Sequence, residues 1–328
     1  MIRKITLQLI LLITVIALLT SACAQVASTP ASATHTPLPP PTPTEEPIPE
    51  PITITDGLGK TITLEAPAQR IISLAPSNTE ILFSVGAGAQ VVGRDSFSDH
   101  PAEALNIADI GGGFGELDTE TILALDADLV LAASLTAPEQ IQALEKLGLT
   151  VFTLGNPVAL EEMYENLRVV ARLTGHEAET ESLITDLTAR VAVVEEKLAG
   201  VETKPLVFYE IDGTDPNAPW TSGPGSFIDT LITMAGGQNL GSILDGPWAQ
   251  ISIEELIAQN PEIILLGDAK WGGVTPEDVA ARAGWDALAA VQDGKVYPFD
   301  DDLVSRPGAR LVDGLETLAK FLHPELFD

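Results

Sequence analysis

Short apolar runs alternate with amphipathic helical segments along most of this 328-residue chain, and this alternation limits the possible folds more than any other feature. Strands separated by helices favour parallel sheets, because a parallel crossover needs a connection of helical length. The runs that we interpret as buried strands lie at residues 70–75, 89–94, 127–133, 149–154, 206–211, 262–267 and 295–299. The sequence therefore predicts an α/β protein.

Two consecutive helices interrupt the alternation. Residues 159–174 and 177–198 both place apolar side chains at helical spacing, and Gly175 separates them. The strand–helix pattern resumes after Pro205. We expect two α/β lobes joined by a helical segment.

An internal repeat supports two lobes of similar construction. The first repeat segment, residues 117–131, aligns without a gap with the second repeat segment, residues 251–265. Each predicts a capped helix, a turn and a buried strand. Glu120 and Glu254 occupy the same place near the two helix N-termini, and Asp118 is expected to cap the first helix.

The N-terminus carries a targeting signal. Basic residues precede an apolar run that is shorter than a membrane-spanning helix, and Cys23, the only cysteine, follows it. This arrangement resembles the lipid-modified cysteine of a bacterial lipoprotein, with an ordinary signal peptide as the alternative. We predict a lipoprotein signal peptide at residues 1–23 and a Pro/Thr-rich tether at 24–51, which has few large apolar residues to bury.

Composition excludes several functions. A formal net charge of −30, from 17 basic and 47 acidic residues, makes nucleic acid a poor partner. Four histidines and one cysteine give little basis for a metal site, and no nucleophile motif follows a strand. The glycine-rich segments at 86–91 and 111–116 lack the third glycine of a dinucleotide fingerprint. We therefore predict neither an enzyme nor a bound cofactor.

Four aromatic residues lie in loop-like segments outside the periodic apolar faces: Phe97, Phe114, Trp220 and Trp248. Each alone could pack in the core, but together they fit a cleft at the carboxyl ends of the strands. Aromatic walls with a few polar groups suit a large, flat, amphipathic small molecule.

Acidic residues at helix starts have different interpretations. Ser77 and Glu80 fit a capping box, which gives Glu80 a structural role. No capping box requires Glu120 or Glu254, although acids at helix N-termini are favoured in any case. One such acid in each lobe could bind arginines of a two-fold symmetric partner.

Three segments carry a family resemblance: RIISLAPSNTEILFSVGAGAQVVGRDSFSDHP, YEIDGTDPNAPWTSGPGSFIDTLITMAGGQNLG and DDDLVSRPGARLVDGLETLAKFLHPE. They are similar to substrate-binding proteins of iron-siderophore, haem and cobalamin ABC importers, and most similar to the cobalamin-binding proteins. The resemblance implies the class III periplasmic-binding-protein fold, two Rossmann-like α/β lobes bridged by one rigid helix. It implies an N-terminal lobe at 52–175, a bridging helix at 176–202 and a C-terminal lobe at 203–328.

The resemblance also implies roles for individual residues. The four aromatic residues fall at ligand contacts, and Asp302 and Arg306 fall on a polar pair that reaches the ligand. Arg310 is expected to form a structural ion pair. Glu120 and Glu254 fall on two acids that dock to arginines of the permease. A tyrosine of the cobalamin binders is Phe97 here, so any contact through its hydroxyl is lost, which weakens haem as the cargo.

The function implied is that of an extracytoplasmic, lipid-anchored, monomeric binding protein that delivers a corrinoid such as cobalamin to an ABC permease and its ATPase subunits. A ferric siderophore or haem is the alternative cargo. From other classes, a surface enzyme acting on a tetrapyrrole would require turnover of a bound ligand, and an adhesion protein would require no ligand cleft.

Overall fold

Two mainly parallel sheets, one on each side of a long helix in the sequence, form the framework of the protein. The computed structural model describes residues 50–113 and 115–327. The predicted signal segment and Cys23 lie outside the described residues, as does the predicted tether apart from its last two residues. Within the described ranges, no helix has both the length and the apolarity needed to cross a bilayer. The predicted α/β architecture is confirmed.

The N-terminal lobe contains a five-stranded parallel sheet in the order β5-β4-β3-β6-β7. Its strands are β3 (Ile71–Ser73), β4 (Val91–Arg94), β5 (Ala108–Asp109), β6 (Leu129–Ala133) and β7 (Val151–Leu154), preceded by an antiparallel hairpin of β1 (Ile52–Thr55) and β2 (Thr61–Leu64). Its helices are α1 (Pro76–Ser84), α2 (Thr119–Ala124), α3 (Pro138–Lys146) and α4 (Leu160–Thr174). The central strand β3 is fully buried, as expected for a parallel sheet covered on both faces.

The C-terminal lobe contains the second sheet, in the order β11-β9-β8-β12-β13, with β10 also paired to β8. Its strands are β8 (Leu206–Asp212), β9 (Trp220–Ser222), β10 (Gln238–Asn239), β11 (Trp248–Gln250), β12 (Ile263–Leu266) and β13 (Val296–Pro298). Its helices are α6 (Phe227–Met234), α7 (Ile253–Gln259), α8 (Ala269–Gly272), α9 (Pro276–Ala280), α10 (Ala289–Gln292), α11 (Asp302–Ser305) and α12 (Leu311–Leu322). Strands β9 and β11 are antiparallel to their neighbours, whereas β8, β12 and β13 are parallel.

Helix α5 (Glu177–Leu198) joins the two lobes in sequence and packs against α4 on one side and α12 on the other. Arg168 of α4 donates to Glu181 of α5 at 2.8 Å, and Arg190 of α5 donates to Glu316 of α12 at 2.9 Å. Both sheets lie within the lobe ranges expected from the sequence. The lobe boundaries themselves, and the rigidity of the helix, stay predictions.

The two repeat segments have the same local structure. Asp118 and Ser252 each cap their helix by accepting a hydrogen bond from the backbone N–H three residues later, at 3.0 and 3.2 Å. Asp126 and Asn260, at equivalent positions after the helices, both adopt the left-handed conformation, with φ of 47° and 52°. The strands β6 and β12 then begin at equivalent residues. The predicted cap at Asp118 and the predicted structural repeat are confirmed.

A buried charged cluster lies at the end of β8. Glu210 is fully buried and accepts two hydrogen bonds from the guanidinium of Arg282, at 2.5 and 2.9 Å. Arg282 in turn stacks over the ring of Trp285, at 4.6 Å from the ring centroid. Burial raises the pKa of Glu210 to about 7, with Arg282 acting against it and the neighbouring carboxylate of Asp268 adding to it.

The pH dependence of stability should reveal this group. The folded protein binds the Glu210 proton more tightly than the unfolded chain, whose pKa is near 4.5, so this contribution is present below pH 4.5 and is lost as the pH rises through 7. From about pH 4 to pH 8, the difference in unfolding free energy between Glu210→Gln and the wild type should move by roughly 3 kcal/mol in the variant's favour. Urea denaturation at several pH values measures it, and a pH-independent difference would contradict the assignment.

Candidate ligand-binding cleft

A cavity of about 590 Å³ opens at the carboxyl ends of β3, β6 and β7. Ligands of open α/β sheets bind at this edge, and the volume is within the usual range for small-molecule sites. The N-terminal lobe supplies most of the wall, including residues 74–78, 133–137 and 154–156. The C-terminal lobe contributes residues 305–307. The cavity therefore lies between the lobes.

Phe97 lines the cavity and is held from behind by a buried acid. Asp95, with no exposed surface, accepts hydrogen bonds from the Phe97 N–H at 2.9 Å and from the Ser98 hydroxyl at 2.5 Å. Burial raises the pKa of Asp95, while these two hydrogen bonds act to lower it. The Phe97 ring packs so closely against Gly113 that a Cβ at Gly113 would lie 2.2 Å from it. Phe97 is nevertheless 47% exposed, and its backbone is held by the hydrogen bond to Asp95.

Arg306 also lines the cavity, and it bonds to both lobes. Its Nη1 donates to Glu80 at 3.0 Å and to Asp99 at 2.6 Å, both in the N-terminal lobe. Its Nη2 lies 2.9 Å from Asp302 in the C-terminal lobe. Arg310 donates its Nε to the second oxygen of Glu80 at 2.7 Å. We call these five side chains the Arg306 network.

The sequence predicted roles for two residues of this network, Arg310 and Glu80, and only the first prediction is confirmed. The structural ion pair expected of Arg310 is confirmed, since its partner is Glu80. The prediction of a capping box at Ser77 and Glu80 is wrong. Helix α1 begins at Pro76 after the N-cap residue Ala75, and no side chain caps it. Instead Glu80, 2% exposed, points its carboxylate to the two arginines.

The Arg306 network contains more acidic than basic groups, with three carboxylates and two guanidiniums. Burial acts to raise the pKa of Asp99, but the hydrogen bond and charge of Arg306 lower it overall. Desolvation acts to lower the pKa of Arg306, and its bonds to Asp99 and Glu80 raise it overall. Lys270 extends the network by bonding Asp302 at 2.6 Å and Asp300 at 3.1 Å. The Arg306–Asp99 ion pair is therefore charged on both sides near neutral pH.

Trp220 and Trp248 lie on neighbouring strands of the C-terminal lobe, outside the lining of this cavity. Their strands β9 and β11 pair antiparallel, with Trp220 opposite Gln250 and Trp248 opposite Ser222. The alternation of side chains along a strand places both tryptophans on one face of the sheet, as a diagonal pair. They are 42% and 49% exposed, large fractions for tryptophan. We call them the tryptophan pair.

The structure thus brings some of the predicted ligand contacts together and not others. Phe97 and Arg306 line one cavity, and Asp302 contacts Arg306 without lining it. The tryptophan pair also lies outside the lining of this cavity. Phe114 is not among the described residues. The roles of all six as ligand contacts stay predictions.

Sequence reasoning missed several polar residues of the site. Glu80 and Asp99 hold Arg306, and three amide residues, Asn78, Gln140 and Asn166, line the cavity. The two arginines four residues apart were the available signal for Glu80, because a buried acid needs cationic partners. The amides lie on helices without any motif to mark them. In the described part of the chain, no group of three acidic, histidine or cysteine side chains could hold a metal ion.

The two acids for which the sequence predicts a docking role, Glu120 and Glu254, are both exposed. Glu120 and Glu254 are the second residues of α2 and α7, so they occupy equivalent places in the two lobes. Their binding to a permease stays a prediction.

Removing the Glu80 carboxylate should strongly destabilise the fold. Glu80→Ala leaves two largely buried guanidiniums without their shared partner, and we expect a loss of about 3 kcal/mol or more in unfolding free energy. Chemical denaturation measures this loss. Glu181→Ala is the matched control, since it removes an exposed partner of Arg168 and should cause no resolvable change. Equal, small effects of both substitutions would refute a structural role for Glu80.

Comparisons with known proteins agree with this architecture. A family model described as periplasmic binding protein matches residues 71–303. The chain is 30% identical, over 84% of its length and 86% of the relative, to YvrC of Bacillus subtilis (strain 168), named an uncharacterized ABC transporter substrate-binding lipoprotein.

Two solved structures are also similar. The periplasmic vitamin B12 binding protein BtuF of Vibrio cholerae superimposes with a TM-score of 0.67 and 26% identity, covering 79% of this chain and 98% of that one. The periplasmic heme-binding protein RhuT from Roseiflexus sp. RS-1 does so with a TM-score of 0.71 and 25% identity, covering 79% and 99%. The predicted two-lobed fold class and the predicted family resemblance are confirmed. The chain belongs to the periplasmic binding protein family.

Proposed function

We propose that the protein is the extracytoplasmic substrate-binding lipoprotein of an ABC importer and that it captures a corrinoid between its lobes. One observation carries the choice of ligand. An exposed aromatic side chain, Phe97, and a fixed guanidinium, Arg306, line the same cavity, and the C-terminal lobe adds an exposed tryptophan pair. The similarity to a vitamin B12 binding protein supports the same choice.

The chemistry of a corrinoid suits these groups. Its broad ring offers apolar faces that aromatic side chains can cover, and its rim carries amide side chains that both donate and accept hydrogen bonds. Arg306 supplies donors and Asp302 an acceptor. The Gln140 amide can serve either role, whereas the amides of Asn78 and Asn166 already donate to the carbonyls of Leu131 and Gly155. A ring of this size would extend beyond the cavity toward the tryptophan pair.

Haem or a ferric siderophore is the alternative cargo, and the similarity to a heme-binding protein favours keeping it. The charge of the site argues against an anionic ligand. Arg306 already bonds three carboxylates, Glu80, Asp99 and Asp302. A ligand carboxylate would have to compete with these acids or lie beside them, and like charges at close range are unfavourable. The neutral amide side chains of a corrinoid meet no such repulsion, and the phosphodiester of a cobalamin would have to lie away from these acids.

The family and the N-terminal targeting signal together suggest how the ligand is delivered to the permease. We infer that Cys23 carries the lipid anchor, that residues 24–51 tether the lobes outside the cell membrane and that the protein acts as a monomer. Glu120 and Glu254 dock to the permease, whose ATPase subunits hydrolyse ATP. This chain itself is not an enzyme.

Calorimetric titration of residues 51–328 with cyanocobalamin tests the proposal. We expect one-to-one binding that weakens by about tenfold or more in Trp248→Ala and in Arg306→Ala, because each removes a contact worth roughly 1–3 kcal/mol. Trp271→Ala is the matched control, since Trp271 is 62% exposed and lies outside both the cavity lining and the tryptophan pair. It should bind like the wild type.

Titrations with haemin and a ferric hydroxamate siderophore run in parallel. Binding of either one without any cobalamin binding would keep the transport role and change the cargo. Heat from none of the three would overturn the proposed ligand class.

A further inference from the structure

The repeat extends upstream of the two segments defined above. Gly112 and Gly246 stand at equivalent positions and both adopt φ of 86°, in the left-handed region. Phe114 and Trp248 are equivalent in the aligned sequence, six residues before Glu120 and Glu254. A left-handed glycine, an aromatic residue, a capped helix and a left-handed helix end therefore follow in the same order in each lobe.

An exposed aliphatic residue accompanies each docking acid. Leu123 follows Glu120 by three positions, and Ile257 follows Glu254 by three. Residues three apart on a helix lie side by side, with roughly 5–6 Å between their Cβ atoms. Leu123 is 48% exposed and Ile257 is 38% exposed.

The fold itself does not require these two side chains. The residue before each of them, Ile122 in α2 and Leu256 in α7, is fully buried and joins the helix to the core of its lobe. A single exposed aliphatic residue needs no explanation. The same exposed aliphatic at the same place in both lobes, each beside an exposed acid, points to a shared contact.

Charge identifies the kind of partner. The sequence has no lysine or arginine from residue 95 to 145, nor from residue 205 to 269, and these stretches contain the two repeat segments. The repeat segments themselves carry only acidic charged residues, although the guanidinium of Arg70 lies at the end of α2, where it donates to the carbonyls of Leu125 and Asp126. The excess of acids disfavours an anionic lipid headgroup and favours a basic protein surface. Two equivalent patches fit a partner that presents two equivalent sites.

We propose that Leu123 and Ile257 are the apolar halves of two equivalent docking patches, Glu120 with Leu123 and Glu254 with Ile257. Each patch binds a basic and apolar site on one of two equivalent permease subunits. This inference rests on the proposed transport role and adds the aliphatic contact to it. The acids orient the approach, and the aliphatic side chains become buried when the surfaces meet.

Photocrosslinking in the cells that produce the lipoprotein tests this without reference to the ligand. The photoreactive residue p-benzoylphenylalanine replaces Leu123 or Ile257 in the full chain, and the adducts are identified by mass spectrometry. The matched controls place it at Leu147 or Val193, which are 44% and 52% exposed and lie outside the repeat segments. Charge reversal by Glu120→Arg together with Glu254→Arg is combined with the two test positions.

We expect both test positions to form an adduct with the same ABC permease polypeptide, and neither control to do so. Charge reversal should reduce those adducts about tenfold, as loss of a charge pair worth roughly 1.4 kcal/mol would. An adduct from only one test position, equal adducts from the controls, or no permease adduct would overturn the proposal. If cobalamin uptake depends on Glu120 and Glu254 while positions 123 and 257 stay silent, the transport role survives and the aliphatic contact does not. Permease adducts without cobalamin binding would leave the docking patches and overturn the cargo.

Discussion

The structure depends most on one buried carboxylate that two arginines hold. Glu80 lies in α1 of the N-terminal lobe, and Arg306 and Arg310 come from the C-terminal lobe. Removing a carboxylate from water costs several kcal/mol, on the order of the whole stability margin of many domains, unless hydrogen-bonded cations compensate. Arg306 and Arg310 are therefore both needed to stabilise the buried Glu80 carboxylate. The relative placement of the lobes and the edge of the cavity depend on the same contact.

The same interaction shapes the chemistry of the site. Because Arg306 is held by carboxylates from both lobes, its guanidinium keeps one orientation, and a ligand meets donors that are already fixed. The positive charge of Arg306 is also compensated by these carboxylates, so the cleft does not present an unpaired cation to the ligand. In both halves of the sequence an aromatic residue, Phe114 or Trp248, lies six positions before an exposed acid, Glu120 or Glu254. If their proposed roles hold, the ligand contact and the permease contact of each lobe lie within one short stretch of chain.

Much of the fold follows from the sequence, and for clear reasons. Buried parallel strands such as β12 are continuous apolar runs, and apolar residues at helical spacing mark α5 at 177–198. The repeat is detectable because caps, left-handed positions and buried residues recur without a gap. These features are local, so the chain displays them directly.

The site is less predictable because its contacts join distant parts of the chain. Glu80 and Arg306 are far apart in sequence, and a local pattern assigned Glu80 to a helix cap that α1 does not have. Asp99 showed no signal at all. Pairing of β9 with β11 places Trp220 and Trp248 on one face, which depends on a register that no single strand reveals. The aromatic residues themselves stood out because they interrupt the apolar periodicity.

A crystal structure of the protein with cyanocobalamin tests the proposed binding mode most directly. We expect the corrin ring between the lobes, in contact with Phe97 and the tryptophan pair, with Arg306 donating to the ligand while still bonded to Glu80. A ligand bound elsewhere on the protein, or between the lobes without contact to Phe97 and Arg306, would contradict it.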